Sequence, residues 1–213
     1  MKRFKAVLFD LDGTLLDTSE GIISTLRQTA EHLHFRELTD AELRGFIGPP
    51  LPTHISEVFG LDEEGTVDAV RYFRKIYSGG EVYRARVYDG IPEVIDELKK
   101  KGIKVAAATY KKEDIAISLL HRKGLTFDVI HGADTEGRLT KADIIRMTID
   151  ELGVTPQETV MVGDSENDAV GAAAAGTAFI GVTYGFGFES DDDVTAPGTI
   201  GVAHTAAEIV SML

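Results

Sequence analysis

The chain has 213 residues, of which 43% are hydrophobic, enough for one large domain or for a core carrying a smaller insertion. Its 22 lysines and arginines stand against 35 aspartates and glutamates, a net charge of −13, which argues against a nucleic-acid binder or a partner of anionic membranes. The absence of cysteine excludes disulfides, thiolate zinc sites and thiol nucleophiles. Lys2, Arg3 and Lys5 precede an apolar run, but Asp10 stops that run too early for an export signal. No stretch is long enough to span a membrane, so a cytoplasmic protein is expected.

Residues 7–14 read Val-Leu-Phe-Asp-Leu-Asp-Gly-Thr. The apolar residues are continuous rather than alternating, which predicts a buried parallel strand, with Asp10 and Asp12 at or just beyond its C-terminal end. In an open α/β sheet that edge is where ligands bind. Two carboxylates placed there repel unless a cation, a proton or hydrogen bonds compensate them.

From residue 16 to 87 no further strand is evident. Segments with helical potential run over about 19–33, 40–46, 51–59 and 63–78, broken by Gly48-Pro49-Pro50 and Gly79-Gly80. This block predicts a helical insertion, a cap over the end of the sheet. Arg44 and Arg74 within it are candidates to meet an anionic substrate. His32 and His34, two apart, read as ordinary residues rather than a metal pair.

From residue 88 the chain alternates strands with helices. Lys104–Thr109, Phe127–His131, Thr159–Val162 and Ala178–Thr183 read as strands. Ile91, Val94, Ile95 and Leu98 keep the spacing of an amphipathic helix, ended by Gly102, with Lys99, Lys100 and Lys101 matched to the negative end of its dipole. Ile145, Ile149 and Leu152 mark another helix, closed by Gly153. The alanine run 172–175 suits close helix packing, and Asp191-Asp192-Asp193 reads as a solvated loop. The pattern predicts an α/β fold: a doubly wound parallel sheet formed by residues 1–15 and 88–213, with the inserted α-helical cap over 16–87.

Four short motifs follow one another near strand ends or helix starts: Asp10-Leu11-Asp12-Gly13-Thr14; Thr109, closing its strand; Lys141, opening a helix; and Gly163-Asp164-Ser165-Glu166-Asn167-Asp168. Each has a plain structural use, as a turn, a cap or a surface lysine. Lys141 is the odd one, because a cation at a helix start opposes the dipole. Gathered at one sheet edge they would pool four carboxylates, a hydroxyl and an ammonium, a set suited to a hard cation and a phosphoryl group. Asp10 is then the candidate nucleophile and Asp12 the candidate general acid and base. Thr109 and Lys141 would bind phosphoryl oxygens. Asp164 would hold Mg²⁺, and Asp168, one turn on, would orient the metal's surroundings or Lys141.

These four motifs resemble those of the haloacid dehalogenase superfamily, in particular its phosphoglycolate phosphatase-like branch. The likeness extends to Ile47-Gly48-Pro49-Pro50-Leu51 and Tyr184-Gly185-Phe186-Gly187. It implies a Rossmann-like core and a Mg²⁺-dependent phosphatase acting on a small phosphorylated substrate through an aspartyl-phosphate. It further implies that Asp10, Asp164 and the backbone carbonyl of Asp12 are the metal's ligands. Tyr110 departs from the pattern, standing where similar proteins often carry Asn or a small residue. Asp12 favours phosphate chemistry over dehalogenation, and Leu11 stands where the cation-pumping ATPases carry Lys. No His occurs in Thr18-Ser19-Glu20-Gly21-Ile22, against a sugar-phosphate mutase. That mutase and a phosphate-binding regulatory protein without turnover are the alternatives.

Overall fold

The computed structural model describes residues 4–47, 51–134 and 138–213. In chain order its strands are β1 (Ala6–Phe9), β2 (Leu16–Asp17), β3 (Arg86–Val87), β4 (Lys104–Lys112), β5 (Val129–Ala133), β6 (Thr159–Gly163), β7 (Ala178–Val182) and β8 (Thr199–Ala203). Its α-helices are α1 (Ser19–His32), α2 (Asp40–Gly45), α3 (Leu51–Phe59), α4 (Glu63–Ser78), α5 (Ile91–Lys100), α6 (Glu113–Arg122), α7 (Lys141–Leu152), α8 (Glu166–Ala175) and α9 (Ala206–Ser211). The chain divides into two compact units, residues 1–16 with 87–213 and residues 17–86.

The larger unit is built on a parallel sheet of order β5-β4-β1-β6-β7-β8. β1 lies inside it, with Phe9 level with Ala107 on β4 and with Val162 on β6. Every residue of β1 is buried, which is why its sequence is an unbroken apolar run. Successive residues face opposite ways. Ala6 and Leu8 join a core cluster with Ile144, Ile145 and Ile149 of α7, Ala169 and Ala172 of α8, and Phe179 of β7. Val7 and Phe9 are buried on the other face, and the apolar stripe Ile91, Val94, Ile95 and Leu98 of α5 is buried as well. The sheet is therefore doubly wound. After β1 the chain builds outward through β4 and β5, then returns to β6 on the other side of β1. That reversal is a topological switch point, and it opens a crevice beyond the C-terminal ends of β1 and β6.

Several elements differ from the sequence pattern, among them the short strands β2 and β3, which pair with each other at the two ends of the stretch expected to hold no strand. β4 continues past Thr109 to Lys112, with a register shift between Ala108 and Lys112 against β5, so Thr109 lies within the strand rather than closing it. β5 begins at Val129, two residues later than expected. Asp128 explains the offset: its carboxylate accepts the Val105 N–H at 2.7 Å and its own N–H donates to the Val105 carbonyl, a side-chain substitute for a ladder bond. β8, α6 and α9 are additional to the predicted elements.

The smaller unit is helical. Gly21 lets α1 approach the 3₁₀ turn Glu81–Arg84, since a Cβ at residue 21 would lie 2.2 Å from the Glu81 carbonyl oxygen. Thr39 and Glu42 form a capping box that opens α2, and Arg36 pairs with Glu42 at 2.6 Å. The Arg36 hydrogen bond, aided by Thr39, holds the Glu42 carboxyl down at about 2. Asp62 caps α4, and His32 stacks on Tyr72 at 3.8 Å. The break expected at Gly48-Pro49-Pro50 lies outside the described residues. Among the described residues no helix is long and apolar enough to cross a membrane.

Candidate active site

Beyond β1 the ladder continues for one residue, the Asp10 N–H donating to the Val162 carbonyl at 2.9 Å. This bond fixes Asp10 at the mouth of the switch-point crevice, where it is 7% exposed. The chain then turns back: the N–H groups of Leu15 and Leu16 both donate to the Leu11 carbonyl. Gly13 supplies the left-handed conformation this turn needs, with φ +85°. A Cβ there would lie 2.2 Å from Asp164 Oδ2, so any side chain at residue 13 would displace the neighbouring carboxylate.

Asp164 follows β6 directly. Its Oδ2 accepts the backbone N–H groups of Phe186 at 2.8 Å and Gly187 at 3.2 Å. Its Oδ1 accepts the Thr14 hydroxyl at 3.2 Å. The hydroxyl of Tyr184 donates to the Thr14 carbonyl at 3.1 Å, and its ring packs beside Tyr88. The Tyr184–Gly187 loop thus clamps both the turn after β1 and the first residue after β6.

Lys141 is the first residue of α7, with Thr140 as the cap, and is 2% exposed. Its Nζ lies 2.5 Å from Asp10 Oδ1 and 2.6 Å from Asp168 Oδ1. Asp168 is 1% exposed and serves two partners: Oδ1 takes the ammonium, while Oδ2 accepts the Ser165 N–H and hydroxyl that open α8. One turn further along α8, Gly171 leaves room for the lysine stem, because a Cβ there would sit 2.6 Å from Lys141 Cγ.

Asp12 is oriented differently. Its carboxylate oxygens lie 2.8 and 2.9 Å from Nζ of Lys111, a buried ammonium that sequence reasoning passed over. A signal for it existed: Lys111 is two residues after Thr109 on a strand, so the two share a face. Thr109 itself is buried, its hydroxyl oxygen accepting the Lys111 N–H at 3.2 Å. Tyr110, between them, accepts the backbone N–H of Lys141 on its phenolic oxygen at 2.8 Å. Arg44 and Arg74 belong to the helical unit described above.

Oxygens of Asp10, Asp164 and Asp168 all lie within 4.8 Å of one another. Three buried carboxylates face one ammonium, while Asp12 is balanced by Lys111, so the cluster keeps excess negative charge on hard oxygen donors. A divalent cation fits that set. Burial pushes the Asp10 carboxyl up to about 7 despite the opposing pull of Lys141, with Asp168, Asp164 and Asp12 adding to the rise. Burial and then Asp168 raise Asp164 to about 6, against the hydrogen bonds from Phe186, Thr14 and Gly187. Burial alone would lower the Lys141 ammonium, but Asp10 and Asp168 outweigh it and hold it above its ordinary range.

Fold and site together define an α/β enzyme with a lysine-bridged acidic centre at the switch point of a doubly wound sheet. Residues 7–182 match the family model described as haloacid dehalogenase-like hydrolase. The chain is 36% identical over 192 residues to a 5'-nucleotidase of Pseudomonas aeruginosa, covering 89% of this chain and 87% of that one. It is 37% identical over 188 residues to a phosphoglycolate phosphatase of Agrobacterium fabrum, covering 84% and 80%. The solved structure of Mycobacterium tuberculosis protein tyrosine kinase A superposes with a TM-score of 0.84 at 31% identity, covering 99% of this chain and 98% of that one. The chain belongs to the haloacid dehalogenase-like hydrolase family. It is a phosphoric monoester hydrolase.

Two measurements test the electrostatics. In metal-free protein the folded state holds the Asp10 proton more tightly than the unfolded chain, whose carboxyl titrates near its ordinary value of 3.8. This group's contribution to stability should therefore fall as pH rises from about 4 to about 7. Thermal melts in chelator should show that decline, and Asp10→Asn should lessen it, leaving the part that Asp164 contributes up to about pH 6; an unchanged slope would place the raised carboxyl elsewhere. Gly171→Ala should push the Lys141 stem out of position and lower stability by about 1–3 kcal/mol, read by urea unfolding. A variant as stable as the parent would show that the packing around Lys141 is looser than described.

Proposed function

We propose that this chain hydrolyses a small phosphate monoester with Mg²⁺, through a phosphoryl group carried transiently on Asp10. The observation behind this reading is the buried Asp10 carboxylate at the end of β1, 2.5 Å from the Lys141 ammonium. Asp10, Asp164 and the backbone carbonyl of Asp12 are assigned as the residues that would hold Mg²⁺. The ion supplies charge neutralisation for the phosphoryl oxygens when bound.

The chain's own groups account for the rest. An Asp10 oxygen bonds to phosphorus as the ester P–O bond breaks. Asp12 takes up a proton on parting from Lys111, gives it to the leaving oxygen, then takes one from the water that attacks the phosphoryl group, and inorganic phosphate departs with Asp10 restored. Lys141 opposes the rise that burial forces on the Asp10 carboxyl and, with the Thr109 hydroxyl, offsets charge on the transferring group. Asp168 holds the ammonium at that position. Lys111 fixes the resting orientation of Asp12. The helical insertion is assigned as a cap that discriminates among leaving groups. A cytoplasmic setting fits an enzyme of small metabolites.

The names of the relatives point to two ester classes, a nucleoside 5'-monophosphate and a phosphorylated hydroxy acid. The likeness to a protein called a tyrosine kinase makes transfer to a phenolic hydroxyl the competing outcome. Phosphate release should be measured over both ester classes with Mg²⁺ and with chelator. Release lost on chelation supports the reading, whereas transfer to tyrosine without release overturns it. Asp10→Asn should lower turnover by at least about a thousandfold. Asp12→Asn should lower it by about 10²–10⁴ for alkyl esters and by much less for a p-nitrophenyl ester, whose leaving oxygen needs no proton. An equal loss on both esters would remove Asp12 as the acid.

A further inference from the structure

Tyr110 is the residue at which this sequence leaves the pattern it otherwise resembles, and the structure gives it a specific task. It lies in the stretch of β4 where pairing with β5 is interrupted between Ala108 and Lys112. An irregularity of this kind re-aims side chains and breaks the plain alternation of a strand. Thr109, Tyr110 and Lys111 accordingly serve three different needs of the site. Thr109 is buried and its hydroxyl accepts the Lys111 N–H, Lys111 pairs with Asp12, and Tyr110 reaches across 31 positions of sequence to the start of α7.

The contact is made to the backbone of the central lysine. The Lys141 N–H is among the first four of its helix, which have no partner within the helix. The Thr140 hydroxyl oxygen takes the Asp143 N–H, and the Tyr110 oxygen takes that of Lys141 at 2.8 Å. The Tyr110 ring also lies 5.6 Å from Lys141 Nζ, within the range of a cation–π contact. Lys141 must hold its ammonium between Asp10 and Asp168 against an unfavourable helix dipole, with its stem pressed over Gly171. A tether at its own backbone nitrogen limits the freedom of that stem at its root.

We propose that Tyr110 is a positioning residue, which fixes Lys141 in the geometry needed to grip a phosphoryl group. This rests on the phosphatase reading for its effect on turnover, but not for its effect on phosphate affinity. Tyr110 is 39% exposed, so water can replace its hydroxyl at the Lys141 N–H. Loss of the hydroxyl therefore loosens the lysine without unfolding the protein.

The test is Tyr110→Phe, which keeps the ring and removes only the hydroxyl. In Mg²⁺ its kcat/KM should fall about three- to tenfold, with kcat lowered and KM raised, the loss of one ordinary hydrogen bond. Its Kd for inorganic phosphate, measured by calorimetry, should rise by a similar factor while Tm stays at the parent value. Tyr110→Leu, which also removes the ring, should lose more on both counts. Parental kcat and phosphate affinity in Tyr110→Phe would overturn the proposal. So would a fall in Tm that accounts for the lost activity, since that marks a merely structural role. If the parent protein releases no phosphate from any ester, the phosphatase reading fails and phosphate affinity alone decides the role of Tyr110. If the parent binds no phosphate either, both are overturned.

Discussion

Three buried carboxylates held around one ammonium form the constraint on which the rest of this site depends. Asp10, Asp164 and Asp168 would repel one another out of so small a space in the absence of compensation. Lys141 bridges two of them, while backbone amides and the Thr14 hydroxyl hold the third. One positive charge cannot balance three negative ones, and Asp10 and Asp164 accordingly bind protons more tightly than free carboxylates do. The strain that raises their affinity for protons is the same strain that a divalent cation relieves. Catalytic readiness and the electrostatic cost to the fold are thus two aspects of one arrangement.

Backbone geometry makes the arrangement attainable. The carboxylates come from the ends of two adjacent parallel strands and the first turn of the helix after one of them, at the point where the sheet's order reverses. Side chains can crowd there only because backbone recedes. Gly13 presses against Asp164, Gly171 yields to the Lys141 stem, and the Tyr184–Gly187 loop closes over Asp164 with two N–H donors. Asp168 links α7 to α8, since the carboxylate that orients Lys141 also caps α8. A substitution at any of these places would act on the chemistry through the position of a charge rather than through contact with substrate.

The sequence made the centre of the fold legible because central strands are buried on both faces. β1 and β6 read as unbroken apolar runs, and the acidic residues follow immediately where the runs stop. Legibility declines toward the edges. β8 is only partly buried and interrupted by Gly201, so it carries no continuous run. α6 alternates Ile115 and Ile117 in the manner of a strand, and Ile117 is exposed. Asp128 replaces a backbone partner with its side chain, a substitution that periodicity does not reveal. Within the site, the order of the motifs identified Asp10, Lys141, Asp164 and Asp168 as groups that meet. Lys111 depended instead on the continuation of β4 past Thr109, and the task of Tyr110 on the irregularity there, neither of which a strand pattern ending at Thr109 contains.

The central claim is that Asp10 itself carries the phosphoryl group. Borohydride reduces an acyl phosphate, but not a free carboxylate, to the alcohol. Protein mixed with a phosphate monoester and Mg²⁺ should be quenched in borohydride and digested, and the peptide containing Asp10 examined by mass spectrometry. Conversion of residue 10 to homoserine, dependent on substrate, is the result expected here. Phosphate release with residue 10 unmodified, or conversion at another aspartate, would contradict the account and assign Asp10 a role other than nucleophile.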